Sequence, residues 1–166
     1  MSLFPEDIHN QAEIVVALAT ARGVMLATAE SCTGGLVAAA LTDIPGSSAV
    51  LDRGFVTYSN DAKSGMIDVP AHLIAEHGAV SEPVARAMAL GAVARSAASV
   101  SVSITGIAGP GGGTPDKPVG LVHFAAVGPA GTIHVEQRFG DIGREEIRLA
   151  SVRTALNLLG DQLAQP

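Results

Sequence analysis

Three side chains in the first forty per cent of the chain could together do nucleophilic chemistry: Ser31, Tyr58 and Lys63. A serine hydroxyl is a poor nucleophile until a base takes its proton, and a lysine serves as that base when its own pKa is lowered. Ser31 falls where an apolar run, Val24 to Thr28, meets a small-residue helix expected from near Thr33, in Ala29-Glu30-Ser31-Cys32-Thr33-Gly34-Gly35. Helix-start amides lack intrahelical partners and form the positive end of the helix dipole, so they could hold an oxyanion beside Ser31. An N-cap role for Ser31 or Thr33 fits the same residues, and the local pattern taken alone favours it. Lys63 is expected in the first turn of its own helix, where dipole and partial burial both favour the neutral amine. Tyr58, at the preceding strand end, could relay the proton. A solvated lysine and an ordinary strand tyrosine are the plainer readings of those two.

Cys32 competes with Ser31, because a thiolate is the better nucleophile and a helix start lowers its pKa; a small buried cysteine is the alternative. The five histidines, His9, His72, His77, His123 and His134, fall on expected helices or strands away from the strand-end turns. None makes a metal-ligating pair with carboxylates or the cysteine, so no metal is assigned and no cofactor is expected.

The second chemical stretch runs from Thr105 through Gly106-Ile107-Ala108-Gly109-Pro110-Gly111-Gly112-Gly113 to Lys117. It lacks the Gly-Lys-Ser/Thr of a P-loop, since Lys117 sits between Asp116 and Pro118. Successive glycine amides can nonetheless face one phosphate, with Thr105 and Lys117 as further donors, which makes a mononucleotide a reasonable ligand class. An unliganded surface loop has the same composition. Gly34 and Gly35 permit close backbone or ligand approach, and Arg144 and Arg148, in the first turns of the last helix, are either surface charges or a phosphate clamp.

The elements that must position these residues follow from periodicity. Helices are expected at Pro5 to Ala21, near Leu36 to Leu41, around Asp61 to Lys63, from Pro70 to Ala75, from Ser81 past Ala92, and from about Arg144 to Leu163. Strands are expected at Val24 to Thr28, Val50 to Tyr58, Val100 to Thr105, Val119 to Val127 and Thr132 to Phe139, the last two forming a hairpin across Gly128-Pro129-Ala130-Gly131. Alternating strands and helices followed by a hairpin predict a three-layer α/β/α sandwich on a mixed, largely parallel sheet of about five strands, one domain over residues 1–166. In such sheets ligands gather beyond the carboxyl ends of strands. The turns at Ser31, at Tyr58 to Lys63 and at Gly106 to Lys117 all follow strands.

With 166 residues, 48% of them hydrophobic, the chain can bury a substantial core. A net charge of −6 without a basic run argues against nucleic acid. No apolar run reaches the about 18 residues that a membrane span needs. The single cysteine and the lack of signal-peptide features make the cytoplasm the expected compartment, and the apolar composition predicts a homo-oligomer. Lys63 and Lys117 are the only lysines among ten basic residues, and Tyr58 is the only tyrosine.

Taken together, the Ala29 to Gly35 stretch, Val56-Thr57-Tyr58-Ser59-Asn60-Asp61-Ala62-Lys63, Gly78-Ala79-Val80-Ser81 and Thr105 to Gly112 resemble the CinA C-terminal domain family over nearly the whole chain. The resemblance implies a metal-independent nicotinamide mononucleotide deamidase giving nicotinate mononucleotide and ammonia. It places the family's serine, tyrosine and lysine on Ser31, Tyr58 and Lys63, a set like that of some β-lactamases. Substrate contacts are then expected from Thr33, Gly34, Gly35, Thr105, Gly106, Gly109, Gly111, Gly112 and Arg144. The family's Gly-Asp-Arg pattern departs here to Gly140-Asp141-Ile142-Gly143-Arg144, which leaves Arg144 the better phosphate contact. Family members often carry an additional N-terminal domain, whose chemistry does not transfer. A non-catalytic pyridine-nucleotide-binding module and a hydrolase of another small amide are the competing readings.

Overall fold

Hydrophobic periodicity in this chain is resolved into six helices and five strands in a computed structural model describing residues 1–166. In chain order these are α1 (Glu6–Arg22), β1 (Leu26–Glu30), α2 (Leu36–Thr42), β2 (Leu51–Val56), α3 (Asn60–Ile67), α4 (Ala71–His77), α5 (Glu82–Ala94), β3 (Val100–Gly106), β4 (Leu121–Gly128), β5 (Gly131–Arg138) and α6 (Arg144–Leu163). The sheet order is β2-β1-β3-β4-β5. The β1·β2 and β1·β3 ladders are parallel, and the β3·β4 and β4·β5 ladders are antiparallel. Four of the five strands therefore run one way and β4 alone runs back, which is the mixed, largely parallel sheet that the element order predicts.

Helices cover both faces. The larger core joins α1, α2 and α6 to one face through Ile8, Val15, Leu41, Leu156 and Leu159, against Leu26, Val102, Ile104 and Phe124. The smaller joins α3, α4 and α5 to the other through Ile67, Ile74, Val84 and Met88, against Ala27, Ala29 and Phe55. This explains why β3 alternates apolar residues with hydroxyls yet is buried throughout. Ser101 Oγ and Ser103 Oγ donate to the Ala89 and Ala85 carbonyls of α5, at 2.7 and 2.6 Å, so the polar face is as dry as the apolar one. No helix is long and apolar enough to cross a membrane.

One close approach sets the spacing of the α3/α5 layer. A Cβ at Gly91, in the last turn of α5, would stand 1.9 Å from the Ile67 carbonyl oxygen that ends α3. Only glycine lets the two helices meet there.

Register decides where the chemistry emerges. Glu30 pairs with Val56 on one side and Ile104 on the other, so the carboxyl ends of β1, β2 and β3 lie abreast. Ser31, Thr57-Tyr58 and Thr105-Gly106 leave the sheet side by side. Both β1 and α2 begin later than the sequence pattern suggests, at Leu26 and Leu36 rather than Val24 and near Thr33. The two displacements put Glu30 at the strand end and open a turn of five residues before α2.

Candidate active site

The Ser31 turn is built by tertiary hydrogen bonds, and neither Ser31 nor Thr33 is a helix cap. Gly35 stands at the cap position with φ of 104°, without a side-chain bond. The capping work falls to Glu30, which is buried and whose carboxylate accepts from Thr33 Oγ1 at 2.7 Å and from the Val37 and Ala38 N–H groups at 2.9 and 3.0 Å. An ionised carboxylate at a helix start satisfies orphan donors and complements the dipole. The sequence pattern alone gives Glu30 no role. Its position directly before the serine turn, at a strand end that should be dry, was the available signal.

This arrangement corrects the expected oxyanion hole. The Val37 and Ala38 amides are spent on Glu30, and the Ser31 amide donates to the Ile104 carbonyl at 2.9 Å. The Cys32 and Thr33 N–H groups, in the turn itself, donate to no oxygen of the chain.

α3 starts at a conventional cap, Ser59, whose hydroxyl accepts from the Ala62 N–H. That fixes Lys63 as the fourth residue of the helix, pointing back beneath the end of β1. Its side chain is 1% exposed, among the largest fully buried side chains in the molecule. Nζ lies 3.2 Å from Ser31 Oγ and donates to the Thr57 carbonyl at 2.9 Å. No carboxylate forms an ion pair with it. Burial therefore pushes its pKa below the ordinary lysine value, with the Cys32 thiol pulling the other way. A buried amine short of its usual charge, in contact with a hydroxyl, is equipped to accept that hydroxyl's proton.

Tyr58 stands differently. It is 62% exposed, and its hydroxyl accepts from Arg144 Nη2 at 3.2 Å, making no hydrogen bond to Ser31 or Lys63. Arg144 also donates through Nη1 to the Gly109 carbonyl at 2.6 Å, tying the glycine-rich loop to the tyrosine across the opening. Cys32 is buried with its thiol raised to about 11, chiefly by desolvation, which disfavours the thiolate that a cysteine nucleophile needs.

Ser31, Tyr58 and Lys63 line one cleft of about 300 Å³ together with Thr105, Gly106, Gly109, Gly111, Gly112 and Arg144. Cys32, Asn60, Ala79, Val80, Ile107 and Ala108 complete its wall, the last five being residues to which the sequence assigns no individual chemistry. Thr105 is buried and its hydroxyl donates to the Ala79 carbonyl at 2.9 Å, joining two walls of the cleft. Thr33, Gly34 and Gly35 are not brought to the cleft. Thr33 is fully buried with its hydroxyl on Glu30, and the two glycines carry the left-handed turn into α2. Lys117 is likewise elsewhere, its Nζ donating to the His77 carbonyl at the end of α4. His123 and His134 pair across β4 and β5, Nδ1 to Nε2 at 2.9 Å, and no three His, Cys, Asp or Glu side chains are grouped to hold a metal ion.

Comparison with known proteins decides the family. The family model described as the CinA C-terminal domain matches residues 8–163. This chain belongs to the CinA C-terminal domain family. A CinA-like protein of Anaeromyxobacter sp. (strain K) is 54% identical over 158 residues, 95% of this chain and 38% of that protein. The chain thus spans well under half the length of such curated relatives. Among solved structures, the competence/damage inducible protein CihA from Agrobacterium tumefaciens is 57% identical with a TM-score of 0.96, covering 99% of this chain and all of that one. A CinA superfamily protein from Escherichia coli is 34% identical with a TM-score of 0.84, covering 96% of this chain and 94% of that one.

Proposed function

We propose that this CinA-family chain is an amidohydrolase that converts nicotinamide mononucleotide to nicotinate mononucleotide and ammonia. The observation that carries the reading is the 3.2 Å contact between a buried, charge-disfavoured Lys63 amine and Ser31 Oγ. Neutral Lys63 takes the Ser31 proton directly as Oγ attacks the carboxamide carbon. The oxyanion is received by the Cys32 N–H at the cleft wall, and collapse returns the proton to nitrogen so that ammonia leaves. The acyl group then sits on Ser31 as an ester. Lys63 next deprotonates a water that attacks this ester, and the proton goes back to Oγ as the carboxylate product departs. Arg144 and the amides of Gly109, Gly111 and Gly112 hold the ribose phosphate at the far side of the cleft, so binding energy remote from the amide positions it.

Ammonia release from nicotinamide mononucleotide by the wild type, Ser31→Ala and Lys63→Ala tests the proposal. Turnover by the wild type alone supports it. Binding without turnover would make the chain a nucleotide-binding module, and turnover of other small amides but not this nucleotide would make it a different amide hydrolase.

A further inference from the structure

The turn that follows Ser31 is held from α6 by a residue outside the cleft. Arg148 Nε donates to the Cys32 carbonyl at 3.1 Å and its Nη2 to the Thr33 carbonyl at 3.3 Å. In a chain of net charge −6, this arginine forms no ion pair; its guanidinium fork is spent on two consecutive carbonyls. Arg148 lines a separate cavity with Leu36, Arg144, Glu145 and Leu149, so it reaches the turn from behind the cleft wall.

The two carbonyls control more than themselves. The only cis peptide is Gly109-Pro110, so the peptides after Ser31 are trans, and in a planar trans peptide the N–H points opposite to the C=O. The Gly34 N–H fixes the Ser31 carbonyl at 3.0 Å and thereby the direction of the Cys32 N–H. Arg148 fixes the carbonyl of Cys32 itself and the next one along, and so holds that residue from its other side. The Cys32, Thr33 and Gly35 N–H groups of the turn have no acceptor in the chain, and of these residues only Cys32 lines the cleft. Glu30 secures the other end of the turn through Thr33 Oγ1 and the start of α2.

We infer that Arg148 is a positioning residue, clamping the Ser31 turn so that the free Cys32 amide is pre-oriented for the oxyanion. The inference rests on the amidohydrolase reading but makes a prediction separable from it. Misaligned oxyanion donors slow the chemical step without weakening ground-state binding, because a neutral carboxamide gains little from them.

The test compares Arg148→Gln and Arg148→Lys with the wild type, using Glu145→Gln as a neighbouring control. Arg148→Gln is expected to lower kcat for ammonia release about 100-fold with KM within about twofold. The acid-limb midpoint of its pH profile should stay in place, since Lys63 is untouched, and Arg148→Lys should regain part of the rate. Phosphonylation of Ser31 by a fluorophosphonate probe, in which the Oγ–P bond forms and fluoride leaves, should slow in parallel. That arm needs no assumption about the natural substrate, so a wild type inactive on the nucleotide sinks the function while leaving the clamp testable. Folded Arg148→Gln with wild-type kcat and wild-type labelling overturns the inference, as does a loss confined to KM. If Arg148→Gln fails to fold, wild-type kcat and labelling in Arg148→Lys overturn it.

Discussion

Replacing Glu30 by glutamine keeps the side chain's volume and removes its charge, which makes it a direct test of how the serine turn is held. One carboxylate oxygen accepts from both Thr33 Oγ1 and the Val37 N–H, the other from the Ala38 N–H. In the variant the amide oxygen is best used at the doubly bonded position, so its NH2 faces the Ala38 N–H, donor against donor. The orphaned Ala38 amide costs about 1–3 kcal/mol, and two charge-assisted bonds fall to neutral ones at about 1 kcal/mol each. The expected destabilisation is about 3–5 kcal/mol. At about 2–4 °C per kcal/mol for a chain of this size, Tm should drop by about 6–20 °C. Thermal unfolding followed by circular dichroism measures it. A Glu30→Gln protein melting within about 3 °C of wild type would show that the carboxylate does not cap α2 as described.

Activity against pH carries a sign fixed by Lys63. The reaction needs the neutral amine, so kcat/KM should rise with pH through a midpoint below the ordinary lysine value, and Lys63→Met should lose about 10²–10⁴-fold in kcat at every pH. The same lowered pKa means that the folded chain binds fewer protons than the unfolded one between the two values; Lys63 therefore makes stability rise with pH across that window, and Lys63→Met should flatten the rise in urea titrations. Tyr58→Phe should keep kcat within about tenfold, because the phenol serves Arg144; a loss of 10²-fold or more would restore the proton-relay role. Cys32→Ala should retain activity, and iodoacetamide should label the wild-type thiol slowly at pH 8, in line with a pKa of about 11.

The parts of this site that could be read from the chain are those whose signals are local. A buried run giving way to small residues marked the Ser31 turn, Ser59-Asn60 marked the start of α3 and so the place of Lys63, and the glycines after Thr105 marked the loop. The elements and their layering followed from periodicity for the same reason. What escaped depends on partners distant in sequence. Arg148 meets Cys32 across 116 residues, where its place early in the last helix suggests only a surface charge or a phosphate clamp. Tyr58, at the strand end before Lys63, suggests a proton relay to the Ser31–Lys63 pair, whereas its hydroxyl is held by Arg144, 86 residues away. The helix dipole was expected to serve a ligand; instead a carboxylate supplied from the preceding strand had already occupied it.

The contact at Gly91 gives the chemistry a dependence on a place that takes no part in it. α3 carries Lys63 midway along its eight residues and rests its last residue, Ile67, on the bare backbone of α5. A single methyl group there would act as a wedge under the far end of a short lever, tilting the helix and withdrawing the amine from the serine. Reach between base and nucleophile is in this sense metered by one missing carbon atom on the opposite side of α3, and drift at that position would silence the pair while every reactive group stayed in the sequence.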